Sequence, residues 1–147
     1  MILVQIFFLF FSTVADANSD LRQCDTYLDV AKNIECGQEN YLVKFGYHYC
    51  RKFIEKEHKF TDRGQMILSR IRKCLLDRLV EEPQLSCSNA QDMSENHHLQ
   101  CYIESGYCEI GAWDQLKLGW MIKKELLSPR FHAVSESIHQ YCVLNRK

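Results

Sequence analysis

The stretch Tyr47–Leu79, YHYCRKFIEKEHKFTDRGQMILSRIRKCLLDRL, decides the fold. On its left, Tyr49, Phe53 and Ile54 continue an apolar stripe begun by Leu42 and Phe45. On its right, Ile67, Ile71, Leu75 and Leu79 recur at helical spacing. FTDRG separates the two, with Thr61 placed to cap the second. Two helices with a break between them are expected. Cys50 and Cys74 fall inside the stripes, so the same stretch asks whether these sulfurs are reactive thiols, metal ligands or cross-links.

The redox compartment bears on that question. The chain opens MILVQIFFLFFSTVADA, an apolar run far shorter than the roughly 20 residues that span a bilayer. Ala15-Asp16-Ala17 has the small-x-small form cut by signal peptidase. Residues 1–17 are therefore expected to be a signal peptide and residues 18–147 a single domain, exported and extracellular. All 8 cysteines follow that leader, an even number in an oxidising compartment, where disulfides are the default. The chain carries 18 Lys and Arg against 19 Asp and Glu, and losing Asp16 with the leader balances the two. A balanced domain gives no sign of nucleic-acid or anionic-membrane binding, which need basic excess on one face. No second apolar run is long enough to cross a membrane.

Helical periodicity continues outward in both directions. Tyr27, Leu28, Ala31 and Ile34 mark a first helix before the quoted stretch. After it, Pro83 stops the third helix, and SCSNAQDMSENHHL reads as a polar loop. Ser94 is placed to cap a fourth helix through Leu99, Tyr102, Ile103 and Tyr107. A fifth is expected from Ala112 through Trp113, Leu116, Trp120 and Leu127, and a sixth over Phe131, Val134, Ile138, Tyr141 and Cys142. No repeat or flexible linker divides the chain. The fold expected is all-α: a single compact disulfide-stapled helical domain of about five to six helices.

Helix geometry limits the cross-links. On one continuous helix, Cys101 and Cys108 would share a face with Cα atoms about 10 Å apart, beyond the roughly 7 Å that a disulfide spans. They should grip two different neighbours. A helix between Cys24 and Cys36 would likewise keep those two apart, roughly 18 Å. The alternative, Cys24–Cys36 with Cys50–Cys87, requires that helix to be broken.

Tyr47, Cys50 and Phe53, then Lys59-Phe60 and Gly64, Lys73-Cys74, Gln100-Cys101-Tyr102, Cys108 and Cys142 resemble the signature region of the stanniocalcins, a family of secreted hormones. The resemblance covers roughly Tyr41 to Cys142 and lies chiefly in the cysteine intervals, although 74 to 87 is shorter than in that family. It implies Cys74–Cys101 and Cys108–Cys142, and for the remainder Cys24–Cys50 and Cys36–Cys87. It also implies a hormone or paracrine signal acting on calcium and phosphate balance through an extracellular receptor or partner. Stanniocalcins are glycosylated and dimerise through a further cysteine. This sequence has no Asn-x-Ser/Thr sequon, and its cysteine count leaves no spare thiol, so any homodimer is expected to be non-covalent.

The chemistry-bearing residues suit no enzyme. His48 lies two positions from Cys50, but a cysteine held in a disulfide is no nucleophile. His97-His98 before Cys101 lack a partner at ligand spacing and fit a solvated helix start. Asp92-x-Ser94-x-Asn96 echoes a calcium loop without its glycine or its twelfth-position acid, where Ile103 stands. Neither a metal nor a cofactor is expected. Arg51-Lys52 and Lys123-Lys124 resemble paired-basic cleavage sites, yet both fall within expected helices and between cysteines expected to be bridged. Trp113 and Trp120, seven apart, fit a core; exposed beside Leu116, either would be the first candidate for a receptor contact. The sequence itself leaves the binding surface unassigned. A disulfide-rich extracellular binding or inhibitory protein, such as a protease inhibitor or secreted effector, is the alternative to a hormone.

Overall fold

The described residues, 20–145 of a computed structural model, contain no strand; besides a helical turn at 20–23 and short π- and 3₁₀-helical turns they form six α-helices. The expected signal peptide, 1–17, and Arg146–Lys147 lie outside the described residues. The chain forms two compact units that divide between Glu55 and Lys56.

In the first unit, α1 (Thr26–Asn33) turns Tyr27 and Ala31 inward. It stops where Glu35 takes the left-handed conformation, φ 56°. The Cys36 N–H then donates to the Ala31 carbonyl at 2.8 Å and the Glu35 N–H to Lys32 at 3.1 Å, which satisfies the terminal carbonyls. Asn40 starts the next helical run: its side-chain oxygen accepts from the Val43 N–H at 3.2 Å. That run begins as a π-helical turn, Leu42–Tyr47, and continues as α2 (His48–Lys56). Tyr41, Phe45, Tyr49 and Phe53 climb one face at four-residue spacing, successive ring centroids 4.9, 4.7 and 6.3 Å apart. Gly46 is required by packing, because a Cβ there would overlap the Tyr27 ring. Cys24, in the turn just before α1, is bridged to Cys50 of α2 with Cα atoms 5.7 Å apart.

In the second unit, Thr61 caps α3 (Asp62–Glu81), its hydroxyl accepting from the Gly64 N–H at 3.1 Å. Ile67, Leu68, Ile71, Leu76 and Leu79 are buried along α3, which ends as Glu82 turns extended ahead of Pro83. The fourth helix departs from expectation. Ser94 is no cap; α4 runs Ala90–Glu104, and the segment expected to be a loop supplies its first turns. Asn89 ends the turn instead, accepting from the Ser86 N–H at 2.8 Å and donating to the Gln84 carbonyl at 2.8 Å. The residues that seat α4 are small ones, Ala90, Ser94 and Cys101, so no apolar stripe announces it. At its other end Gly106 adopts φ 88°, and Tyr107–Glu109 form a 3₁₀ turn rather than more helix. Cys101 and Cys108 therefore sit on different elements.

Helix α5 (Ala112–Met121) is shorter than expected. After Ile122 the bonding tightens, with the Glu125 N–H donating to the Ile122 carbonyl at 2.8 Å, and Glu125–Leu127 form a 3₁₀ turn. Lys123-Lys124 thus lie in a turn and not in a helix. Pro129 opens α6 (Pro129–Leu144), where its missing N–H costs no bond. Helix α4 packs between α3 and α6. Cys74–Cys101 joins α3 to α4, and Cys108–Cys142 joins the turn after α4 to α6, with Cα separations of 5.6 and 5.1 Å. Cys36 and Cys87 are disulfide-bonded as well, and no described cysteine is free.

Candidate functional site

Helix α5 is held by a carboxylate. Asp114 is completely buried, and its Oδ2 accepts from the Thr61 hydroxyl at 2.5 Å. The Thr61 N–H points at both carboxylate oxygens, each 3.3 Å away. Lys117, one turn on, donates to Asp114 at 3.3 Å and to the Lys59 carbonyl at 2.6 Å. Burial alone would raise the Asp114 pKa, but the hydrogen bonds from Thr61 and Lys117 outweigh it and hold the carboxyl below its ordinary range. Gly64 makes the approach feasible, since a Cβ there would overlap the carboxylate. Leu118, four residues along, is buried beside Asp114 on the same side of α5.

Anchoring that side leaves another to solvent. Trp113 is 73% exposed, Leu116 61% and Trp120 70%. Spaced three and four apart, they form one stripe. From the size of tryptophan and leucine side chains, the stripe presents on the order of 450 Å² of mostly apolar surface. That is as large as the biggest such patch on a typical monomer. The Lys123 ammonium lies 4.0 Å from the centroid of the Trp120 ring, a cation–π contact at the end of the stripe. Leu116 also borders an open cavity of about 510 Å³ among α4, α5 and α6, floored by Leu118, Ile138 and Cys142.

Trp113 and Trp120 are therefore not core residues; they meet the exposure condition that makes them the first candidates for contact with a partner. The histidines behave otherwise than expected from sequence. His97 and His98 lie in the middle of α4, not at a solvated start. His97 faces Glu82 at 3.4 Å, both largely covered. The His98 ring bonds the Ser94 carbonyl through Nδ1 at 2.7 Å and stands between Tyr102 and Phe131, and burial lowers its pKa. Asp92, Ser94 and Asn96 are helical; Ser94 is buried and Asp92 pairs with Arg130, which also binds Glu95 at 2.9 Å. Among the described residues, no three His, Cys, Asp or Glu side chains group closely enough to hold a metal. His48 packs edge-on against Tyr49, beside a Cys50 whose sulfur is bridged to Cys24.

Sequence reasoning did not find Asp114 or Lys117. Their trace is faint: an acid and a base three apart inside a mostly apolar helix, GAWDQLKLGW, with nothing to mark the acid as buried. No protein-family model, no curated protein and no solved structure matches the chain.

Proposed function

We propose that this chain is a secreted, non-enzymatic signalling protein resembling the stanniocalcins, and that it works by recognition. The α5 stripe would be the contact: Trp113, Leu116 and Trp120 dock on an extracellular receptor or partner. The observation that carries this is an aromatic face left bare on a helix whose opposite side is locked by Asp114. Rigid exposed tryptophans supply much contact area with few rotors to freeze, which is why they recur as binding hot spots. Cross-links throughout the described residues suit life outside the cell, and no described helix is long and apolar enough to cross a membrane. The resemblance points to calcium and phosphate balance as the physiological output.

The test is binding of labelled chain to intact cells of the expressing tissue, followed by cross-linking to the captured receptor. Trp113→Ala with Trp120→Ala should weaken binding by about 30-fold to several hundred-fold, as hot-spot truncations totalling roughly 2–4 kcal/mol do. Undiminished binding by that double variant would place the contact elsewhere. Capture and stoichiometric inhibition of an extracellular protease would assign the chain to the inhibitory class instead.

A further inference from the structure

We propose that the turn after α5 is a processing site, cut after Lys124 by a secretory endoprotease specific for paired basic residues, giving a two-chain molecule held by Cys108–Cys142. Three paired-basic sequences occur within the described residues, and the fold treats one of them differently. Arg51-Lys52 sits inside α2, next to Cys50 and its bridge to Cys24, and Arg72-Lys73 sits inside α3, next to Cys74 and its bridge to Cys101. A protease binds its substrate extended, so cutting at either would require unwinding a packed, cross-linked helix. Lys123 and Lys124 are both exposed, between the last residue of α5 and the 3₁₀ turn at Glu125. The backbone bonds at their flanks are local ones, from the Glu125 and Leu126 N–H groups to the Ile122 carbonyl and from the Ser128 N–H to the Glu125 carbonyl. Exposed inter-helix turns of this kind open at low cost and are where nicking concentrates.

The reaction is amide hydrolysis. Water adds across the Lys124–Glu125 bond, leaving a carboxylate on Lys124 and an ammonium on Glu125, and no redox partner is involved. The products cannot separate. Cys108 lies before the cut and Cys142 after it, so their bridge spans it. Arg130 adds its pairs with Asp92 and Glu95 across the same cut. Ile122 and Leu126, one on each side of the scissile bond, line the cavity beside the stripe. Cleavage would free that wall. A basic-residue carboxypeptidase trimming the new end would also remove Lys123 from the face of Trp120. Processing would thus remodel the surface assigned above to recognition.

In the cell this rests on the secreted reading, because such proteases work in the secretory pathway; the experiment is arranged so that the two claims fail separately. Purified, oxidised chain is incubated with a subtilisin-like convertase specific for paired basic residues and weighed intact, before and after reduction. The expected product is one species heavier by a single water, which reduction splits into two pieces, the smaller starting at Glu125. The Lys123→Gln, Lys124→Gln double variant should stay whole over the same period. No cut at Lys124, a cut of comparable speed after Lys52 or Lys73, or release of the C-terminal piece without reduction would each overturn the proposal. Arrival of the chain in culture medium is read apart from this and bears only on export.

Discussion

Thr61 and Asp114, 53 positions apart, close on each other through one carboxylate, with the threonine hydroxyl 2.5 Å from Oδ2. That contact makes the start of α3 and the start of α5 a single unit. Thr61 caps α3 through Gly64 while donating to Asp114, so one side chain serves two helices. Removing the acceptor leaves buried donors without a partner, which costs more than the bond itself. Asp114→Ala is expected to destabilise the folded chain by about 2–4 kcal/mol, measured by urea denaturation. A loss below about 0.5 kcal/mol would show that the carboxylate is not an anchor.

Glycine substitutions test the same contact from the other side. Alanine normally favours a helix over glycine by about 1 kcal/mol. At Gly64 the added methyl would overlap the Asp114 carboxylate, so Gly64→Ala should lose roughly 1–3 kcal/mol despite that preference. At Gly119, within α5, nothing stands near the new methyl, and Gly119→Ala should gain about 0.5–1 kcal/mol. Thermal melts of the two variants are expected to move in opposite directions.

Acid should unfold the chain in two windows. The His98 pKa is lowered by burial, so the unfolded chain takes up a proton that the folded chain resists. Stability is therefore unaffected above the unfolded value of about 6.5 and falls as pH drops below it. Asp114 has its folded pKa depressed. Its contribution is present in full above an unfolded value of about 3.9 and is lost as pH falls through the folded value. His98→Gln should flatten the first window and Asp114→Asn the second, read from denaturation midpoints across pH.

The tryptophan stripe should be dispensable for folding. Trp113→Ala and Trp120→Ala remove exposed side chains, so each is expected to change stability by no more than about 0.5 kcal/mol while partner binding falls. A loss of several kcal/mol would mean that the rings pack in solution and are not a free surface.

Much of this fold was legible in the sequence because its long helices carry broad apolar stripes. Ile67, Ile71 and Leu79 in α3 repeat at the helical period, and Thr61 reads as a cap from chemistry alone. The start of α4 was not legible, since Ala90 and Ser94 are buried by virtue of being small and the surrounding residues are polar. The early end of α5 carried no breaker, yet the helix gives way to a turn at Ile122–Lys124. Helix spacing separated Cys101 from Cys108 for a reason the structure revises: Gly106 ends the helix between them. It left two assignments open for Cys24, Cys36, Cys50 and Cys87, because which helix meets which is a tertiary fact. The site was half legible. Trp113, Leu116 and Trp120 stood out as a conditional candidate, but nothing local says which side of an apolar helix faces solvent. That is decided by Asp114, whose burial depends on Thr61 far away in the chain.

The most direct test is to map the cross-links of native chain collected from culture medium, digested without reduction and sequenced by mass spectrometry. The account predicts that the chain reaches the medium with no titratable thiol, Cys74 bound to Cys101 and Cys108 to Cys142. Recovery of Cys101 or Cys108 as a free, reactive thiol would contradict it.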